Sequence, residues 1–214
     1  MVFVEELYRR RDQVESEGVM EEQRLTVEEF TERSRELSRH HLDFRRLGLK
    51  GKILDIGAGG EGVIGQLYPD SIGIDPDKEE LEESPAKQLK IVMDGRDLQF
   101  MDESFDTATI FFTMMYIHPD DQLKVFEEAY RVLKVGGELH LWYLHMGEPD
   151  EETYGLILPL EIEMPKGMLQ TGYGARWNRK QDDDSFVELG KRAGFAVKKV
   201  HLNGETGWIR FYKK

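Results

Sequence analysis

Ile53-Leu54-Asp55-Ile56-Gly57-Ala58-Gly59-Gly60-Glu61-Gly62 decides the architecture. The first four residues read as a short buried strand. The glycines that follow satisfy G-x-G-x-x-G, placed between that strand and an expected helix, as a nucleotide-binding turn must be. Glycine is needed there because the backbone turns sharply and must come close to a ligand, where a side chain would take the ligand's volume. Taken alone, the pattern also suits a plain tight turn. The dinucleotide-binding version continues with apolar residues where this chain has Asp55, and a carboxylate at that point would face a cation.

Working outward, short apolar runs recur at Ser71–Asp75, Lys90–Met93, Thr107–Phe112 and Leu139–Tyr143, separated by turns or helical stretches. This rhythm predicts a parallel sheet wound with helices. Between the last two runs Leu123, Phe126, Tyr130 and Leu133 form a helical stripe that ends at Gly136-Gly137, long enough for a crossover between parallel neighbours. Near the end, Phe186, Leu189 and Ala193 predict a helix stopped by Gly194, then strands at Ala196–Leu202 and Gly207–Tyr212 joined through Asn203-Gly204. The expected fold class is α/β: a doubly wound, mainly parallel seven-stranded sheet with a C-terminal antiparallel hairpin.

Before the sheet, Thr26 and Glu29 have the spacing of a capping box, with Leu25 and Phe30 as its staple. Val27, Phe30, Leu37 and Phe44, joined by Ser34 and His41, continue one stripe toward a stop at Gly48, so an N-terminal helical cap is expected over 1–50. Residues 51–214 then form the main domain, interrupted at about 146–180 by a Gly-, Pro- and aromatic-rich segment without a clear period. Such a long loop reads either as a lid over a substrate or as a surface excursion packed on itself.

Composition bounds the chemistry. The chain has 214 residues, 39% apolar and 33% charged, enough for one large core. Having no cysteine, it lacks disulfides, thiolate metal sites and cysteine nucleophiles. A formal charge of −13 opposes phosphate backbones, so nucleic acid is a disfavoured partner. The start carries no basic region followed by an apolar core, and Ala108–Ile117 falls far short of the ~20 residues that span a bilayer. No membrane association is expected, and the cytoplasm is the default location.

Acids recur at strand edges. Asp75 ends the second strand eighteen residues after Gly57, close to the ~20-residue offset at which an acid accepts from ribose hydroxyls, although it can also cap the helix after Pro76. Asp94 follows the third strand and Asp106 opens the fourth. Tyr116 and His118 come just past the fourth strand, where doubly wound sheets bind ligands, and are the candidate catalytic residues. His118 equally suits the start of the next helix beside Pro119. His145, at the carboxyl end of the fifth strand, is the more interesting of the two histidines around it. His40-His41 and Glu36 lack metal-converging spacing, and no metal site is expected.

As an ordered set, Ile53–Gly59, Ile72–Asp75, Met93–Phe100, Ser104–Asp106 and Ala129–Gly137 resemble the class I S-adenosylmethionine-dependent methyltransferases, and within them the small-molecule group similar to the ubiquinone/menaquinone-biosynthesis enzymes. The resemblance covers about residues 52–143; Gln99 and Val135 stand where its pattern favours proline, and Met115-Tyr116 replace the common His-His or Leu-His pair. It implies S-adenosyl-L-methionine as cofactor, with Gly57, Ala58 and Gly59 along its methionine and ribose portion and Asp55 near its amino end. Asp75, with Pro76 beside it, would take the ribose hydroxyls. Asp94 would accept from the adenine amino group, while Gly95 offers a main-chain N–H to the ring and Thr113 gives main-chain contacts. The expected activity is methyl transfer to a small-molecule acceptor by in-line displacement. A non-catalytic module binding the same cofactor is the alternative, and a nicotinamide-dependent oxidoreductase is a further one that Asp55 and Asp94 argue against.

Overall fold

The computed structural model describes residues 25–214, which divide into two compact units. One comprises Gly48–His145 with Asp182–Lys214, and the other comprises the described residues up to Leu47 with Met146–Gln181.

The first unit is built on a seven-stranded sheet. Its strands are β3 (Ile53–Ile56), β4 (Ile72–Asp75), β5 (Leu89–Val92), β6 (Phe105–Phe111), β7 (Leu133–Leu144), β10 (Ala196–Asn203) and β11 (Thr206–Tyr212), in the order β10-β11-β7-β6-β3-β4-β5. The five from β3 to β7 pair in parallel, while β11 runs antiparallel to both β7 and β10. The chain lays β4 and β5 on one side of β3 and β6 and β7 on the other, so the order reverses at β3 and opens a crevice beyond its carboxyl end. The doubly wound sheet and its terminal hairpin stand as expected.

Helices α2 (Val63–Leu67), α3 (Lys78–Glu83), α4 (Pro119–Val132) and α5 (Asp183–Arg192) belong to this unit. α4 turns Val125, Phe126, Ala129 and Val132 inward, the 3.6-residue spacing that its sequence shows. These join Leu54, Ile56, Ile110, Leu141, Phe186 and Phe211 in one buried cluster, where Phe126 meets Phe211 edge to face at 5.7 Å. Each such ring contributes about 1.5–3 kcal/mol by leaving water. α4 hands over to β7 at Leu133, earlier than the Gly136-Gly137 stop that the sequence suggests, and Gly136 takes φ +80° within the strand instead.

In the second unit the capping box is present: Thr26 Oγ1 accepts from the Glu29 amide at 3.2 Å, and Glu29 Oε2 accepts from the Thr26 amide at 2.6 Å. The helix it starts, α1 (Val27–Arg33), is much shorter than the expected one. Ser34 turns extended, and β1 (Ser34–Glu36) and β2 (His40–Asp43) follow where the helix was predicted to continue. Both pair in parallel with β8 (Gly155–Met164), so a distant partner strand overrides a stripe that already contained polar members. The cap's residues 1–24 lie outside the described residues. The segment read as a long aperiodic loop is an antiparallel hairpin of β8 and β9 (Gly167–Arg176), turning at Pro165-Lys166. Pro159 in β8 falls between the stretch paired with β1, Gly155–Ile157, and that paired with β2, Leu160–Glu163, so its missing N–H costs no ladder bond on that side.

Candidate active site

At the carboxyl end of β3 the chain enters the glycine turn. Gly57 takes φ +73°, and a Cβ there would collide with the Thr113 side chain. The Gly57 and Ala58 amides both donate to Ile74 O at 2.9 Å, fixing the turn onto the end of β4. On the other side, the Thr113 hydroxyl lies 3.2 Å from Gly57 O, joining the turn to the end of β6.

Asp75, half-buried at the end of β4, accepts from the Gly59 amide with Oδ2 at 3.0 Å and from the Asp77 amide with Oδ1 at 2.9 Å. Capping of α3 falls to Asp77, whose Oδ1 accepts from the Glu79 and Glu80 amides at 2.8 and 3.2 Å, and not to Asp75. Pro76 between them is exposed. Glu80, which the sequence does not single out, is buried and accepts from the Gly60 amide at 2.6 Å. Its only sequence signal is its inward position on α3.

Asp55 is 1% exposed and accepts from the Thr109 hydroxyl at 2.7 Å. Burial, against the opposing Thr109 bond and helped by the Asp75 charge, pushes its carboxyl up to about 7. Asp94, just past β5, is partly exposed and held by Arg96: Oδ2 accepts from Nη2 at 2.7 Å and Nε at 2.9 Å, while Oδ1 accepts from the Arg96 amide at 2.8 Å. Partial burial raises this carboxyl, but the Arg96 bonds outweigh it and leave it below the usual range. Arg96 also reaches Asp121 on α4 at 2.7 Å. Gly95 lies so near β3 that a Cβ would stand 2.8 Å from Ile56 Cγ2. Asp106, the fourth acid of the series, does not join this group. It sits at the amino end of β6, bound to Lys134 Nζ at 2.7 Å and to the Lys52 amide at 2.8 Å.

Tyr116 closes the 3-10 turn Met114–Tyr116 beyond β6, half-buried, with its hydroxyl oxygen shielded from solvent. Gln122 steadies that turn by donating to Met114 O at 2.9 Å. His118 is mostly exposed and caps α4, its Nδ1 accepting from the Asp120 amide at 3.4 Å, so the structure displays its helix-starting role. Among the described residues no group of His, Asp and Glu side chains could hold a metal ion, and no helix is long and apolar enough to cross a membrane.

The glycine turn therefore lies beside carboxylates within or just past the carboxyl ends of three adjacent strands, acceptors suited to a diol and a cation. Residues 54–141 match the model of the methyltransferase domain. That match implies S-adenosylmethionine as cofactor, and the chain's own residues fit it: Asp75 brings a carboxylate to the end of β4, and a side chain at Gly57 would be excluded. No curated protein matches the chain. Among solved structures, an S-adenosylmethionine-dependent methyltransferase from Thermotoga maritima, described as a possible histamine N-methyltransferase, shares the fold at TM-score 0.58 and 21% identity, over 78% of this chain and 84% of that one. A protein from Pyrococcus horikoshii does so at TM-score 0.58 and 18% identity over the same shares, 78% and 84%. An S-adenosylmethionine-dependent methyltransferase from Mesorhizobium loti does so at TM-score 0.55 and 15% identity, over 76% and 90%.

Proposed function

We propose that the protein moves a methyl group from S-adenosylmethionine to a small-molecule acceptor by in-line displacement. The observation that carries this is Asp75, held by the Gly59 and Asp77 amides at the end of β4 beside a turn whose Gly57 leaves no room for a side chain. In this reading Gly57, Ala58 and Gly59 receive the methionine and ribose portion, Asp75 and Pro76 the ribose, and Asp94 and Gly95 the adenine, while Thr113 gives main-chain contacts. Asp55 accepts the charge of the amino end. When bound, the cofactor supplies a methyl made electrophilic by its sulfonium, so the protein needs no covalent nucleophile of its own.

What the protein supplies is alignment. Fixing acceptor, methyl and sulfur in one line is worth up to ~7–11 kcal/mol when orientation is good. In the same reading Tyr116, in the turn beyond β6, helps to orient the acceptor. The net acidic charge and the resemblance to quinone-biosynthesis enzymes favour a small metabolite over a nucleic acid.

Calorimetry with S-adenosylhomocysteine and with NADH tests the cofactor. Tight binding of the first and none of the second is expected, with Asp75→Ala weakening it ~10–100-fold through lost charge-assisted hydrogen bonds. Binding of NADH alone, or full affinity in the variant, would end this reading.

A further inference from the structure

Asp55 stands one residue before the end of β3, so its strand leads straight into the glycine turn. The register sets Gly73 of β4 on one side of it and Thr109 of β6 on the other. In-register residues of neighbouring strands share a face, and the Thr109 hydroxyl accordingly meets the Asp55 carboxyl at 2.7 Å. Over Gly73 that face is filled by neutral groups, because a Cβ there would meet the Gln88 amide and the Ala58 methyl. Asp75, two residues beyond Gly73 and so on the same face, brings a second carboxylate whose charge reaches Asp55. Farther along the row come His140 of β7, which burial holds down to about 4 against the pull of its Glu138 bond, and then Arg210 of β11.

Asp55 is therefore a buried acid without a cation. Among the described residues no positively charged side chain bonds to it, and its one hydrogen bond comes from a hydroxyl. At 1% exposure, water does not compensate its charge either. A carboxylate so placed is costly until it takes up a proton or meets a positive charge. Protonation is one remedy: burial, opposed by the Thr109 bond and helped by the Asp75 charge, lifts the carboxyl to about 7. A cation brought by a ligand is the other, and S-adenosylmethionine and S-adenosylhomocysteine both carry an ammonium group.

We propose that Asp55 gives up a proton when the cofactor binds, the ligand's positive charge taking that proton's place in compensating the buried carboxylate, so that affinity rises with pH. The proposal rests on the cofactor reading above and adds a pH-dependent control of the same site. The O–H bond of the acid breaks with its electrons kept by the carboxylate, and the proton passes to the buffer.

The test is calorimetry of S-adenosylhomocysteine with the full chain in buffers of different ionisation enthalpy, which counts the protons released per ligand bound. At about pH 6 wild type should release roughly 0.5–1 proton and at about pH 8.5 close to none, with affinity ~5–10-fold weaker at the lower pH. Bound 5′-methylthioadenosine, which has the adenosyl group and no ammonium, should release none. Asp55→Asn should abolish the release and flatten the pH dependence. Thr109→Val removes the bond that opposes protonation and should move the pH dependence to higher pH, which a merely structural role would not do. In wild type the Asp55 carboxyl, followed by NMR, should titrate at lower pH with S-adenosylhomocysteine bound, a readout that needs neither variant to fold. Binding at about pH 6 without proton release, release that survives Asp55→Asn, equal release with 5′-methylthioadenosine, an unmoved pH dependence in Thr109→Val, or an unmoved carboxyl would each overturn the proposal and leave the cofactor reading standing. Failure to bind S-adenosylhomocysteine at either pH would overturn the cofactor reading first.

Discussion

The acids at the ends of β3 and β5 share a residue type and a place in the strand pattern, yet their surroundings are opposite. Asp55 is sealed from water with the Thr109 hydroxyl on one oxygen, and its carboxyl rises to about 7. Asp94 is partly exposed in the fork of Arg96, and its carboxyl falls. The difference teaches that environment, more than letter, sets what an acid can do. Near neutral pH one is poised between two protonation states, while the other is a fixed negative anchor.

The two also bear on stability with opposite sign. A carboxyl whose folded pKa is raised favours the folded state while protonated; its contribution is complete below about pH 4, the unfolded value, and is lost as pH rises toward 7. A carboxyl whose folded pKa is depressed contributes above its unfolded pKa and loses that contribution as pH falls.

The steepest way to break the comparison removes the floor that serves both acids. Gly57→Val forces a branched side chain into φ +73° and into Thr113, and should reduce S-adenosylhomocysteine affinity by more than ~100-fold. Calorimetry on a variant shown folded by circular dichroism measures it, and affinity within tenfold of wild type would mean that the turn is not the cofactor's floor.

A middle-sized effect sharpens the Asp55 side. Thermal denaturation of the ligand-free protein between pH 5 and about 8 should show wild type losing several degrees relative to Asp55→Asn, because only the wild type must ionise a buried carboxyl. Parallel curves would show that Asp55 is already charged inside the fold.

The smallest effect belongs to Asp94. Arg96→Met removes its partner, and because the pair is well exposed the cost should stay below ~1 kcal/mol, or a fall in Tm of no more than ~4 °C. The clearer readout is the Asp94 carboxyl followed by carbon-detected NMR, which should titrate at higher pH in the variant than in wild type.

How legible all this was in the sequence follows from where the partners lie. The parallel strands were readable because each carries its own apolar run and its own turn. The place of Asp75 at the end of its strand was readable from the apolar run before it, but its bonds to the Gly59 and Asp77 amides were not, since they form only when the turn folds onto β4. The Arg96 grip on Asp94 was not, since a basic residue two positions away reads as surface until the loop folds back on itself. Nor was the end of α1 at Arg33, because the signal that stops it is the backbone of β8, more than a hundred residues away. Capping told where that helix begins; only tertiary pairing told where it stops. His118 shows the reverse case: its start of the next helix was readable from the local sequence beside Pro119.

Pro159 gives the hairpin a built-in gauge. Its ring sits where the two short strands alongside β8 leave a gap, so sliding β8 two residues in either direction would set a position without a donor against one of them. The imino acid that helped to hide this strand from view also penalises its commonest misalignment. Replacing it with valine would supply the absent donor and relax that check on slippage.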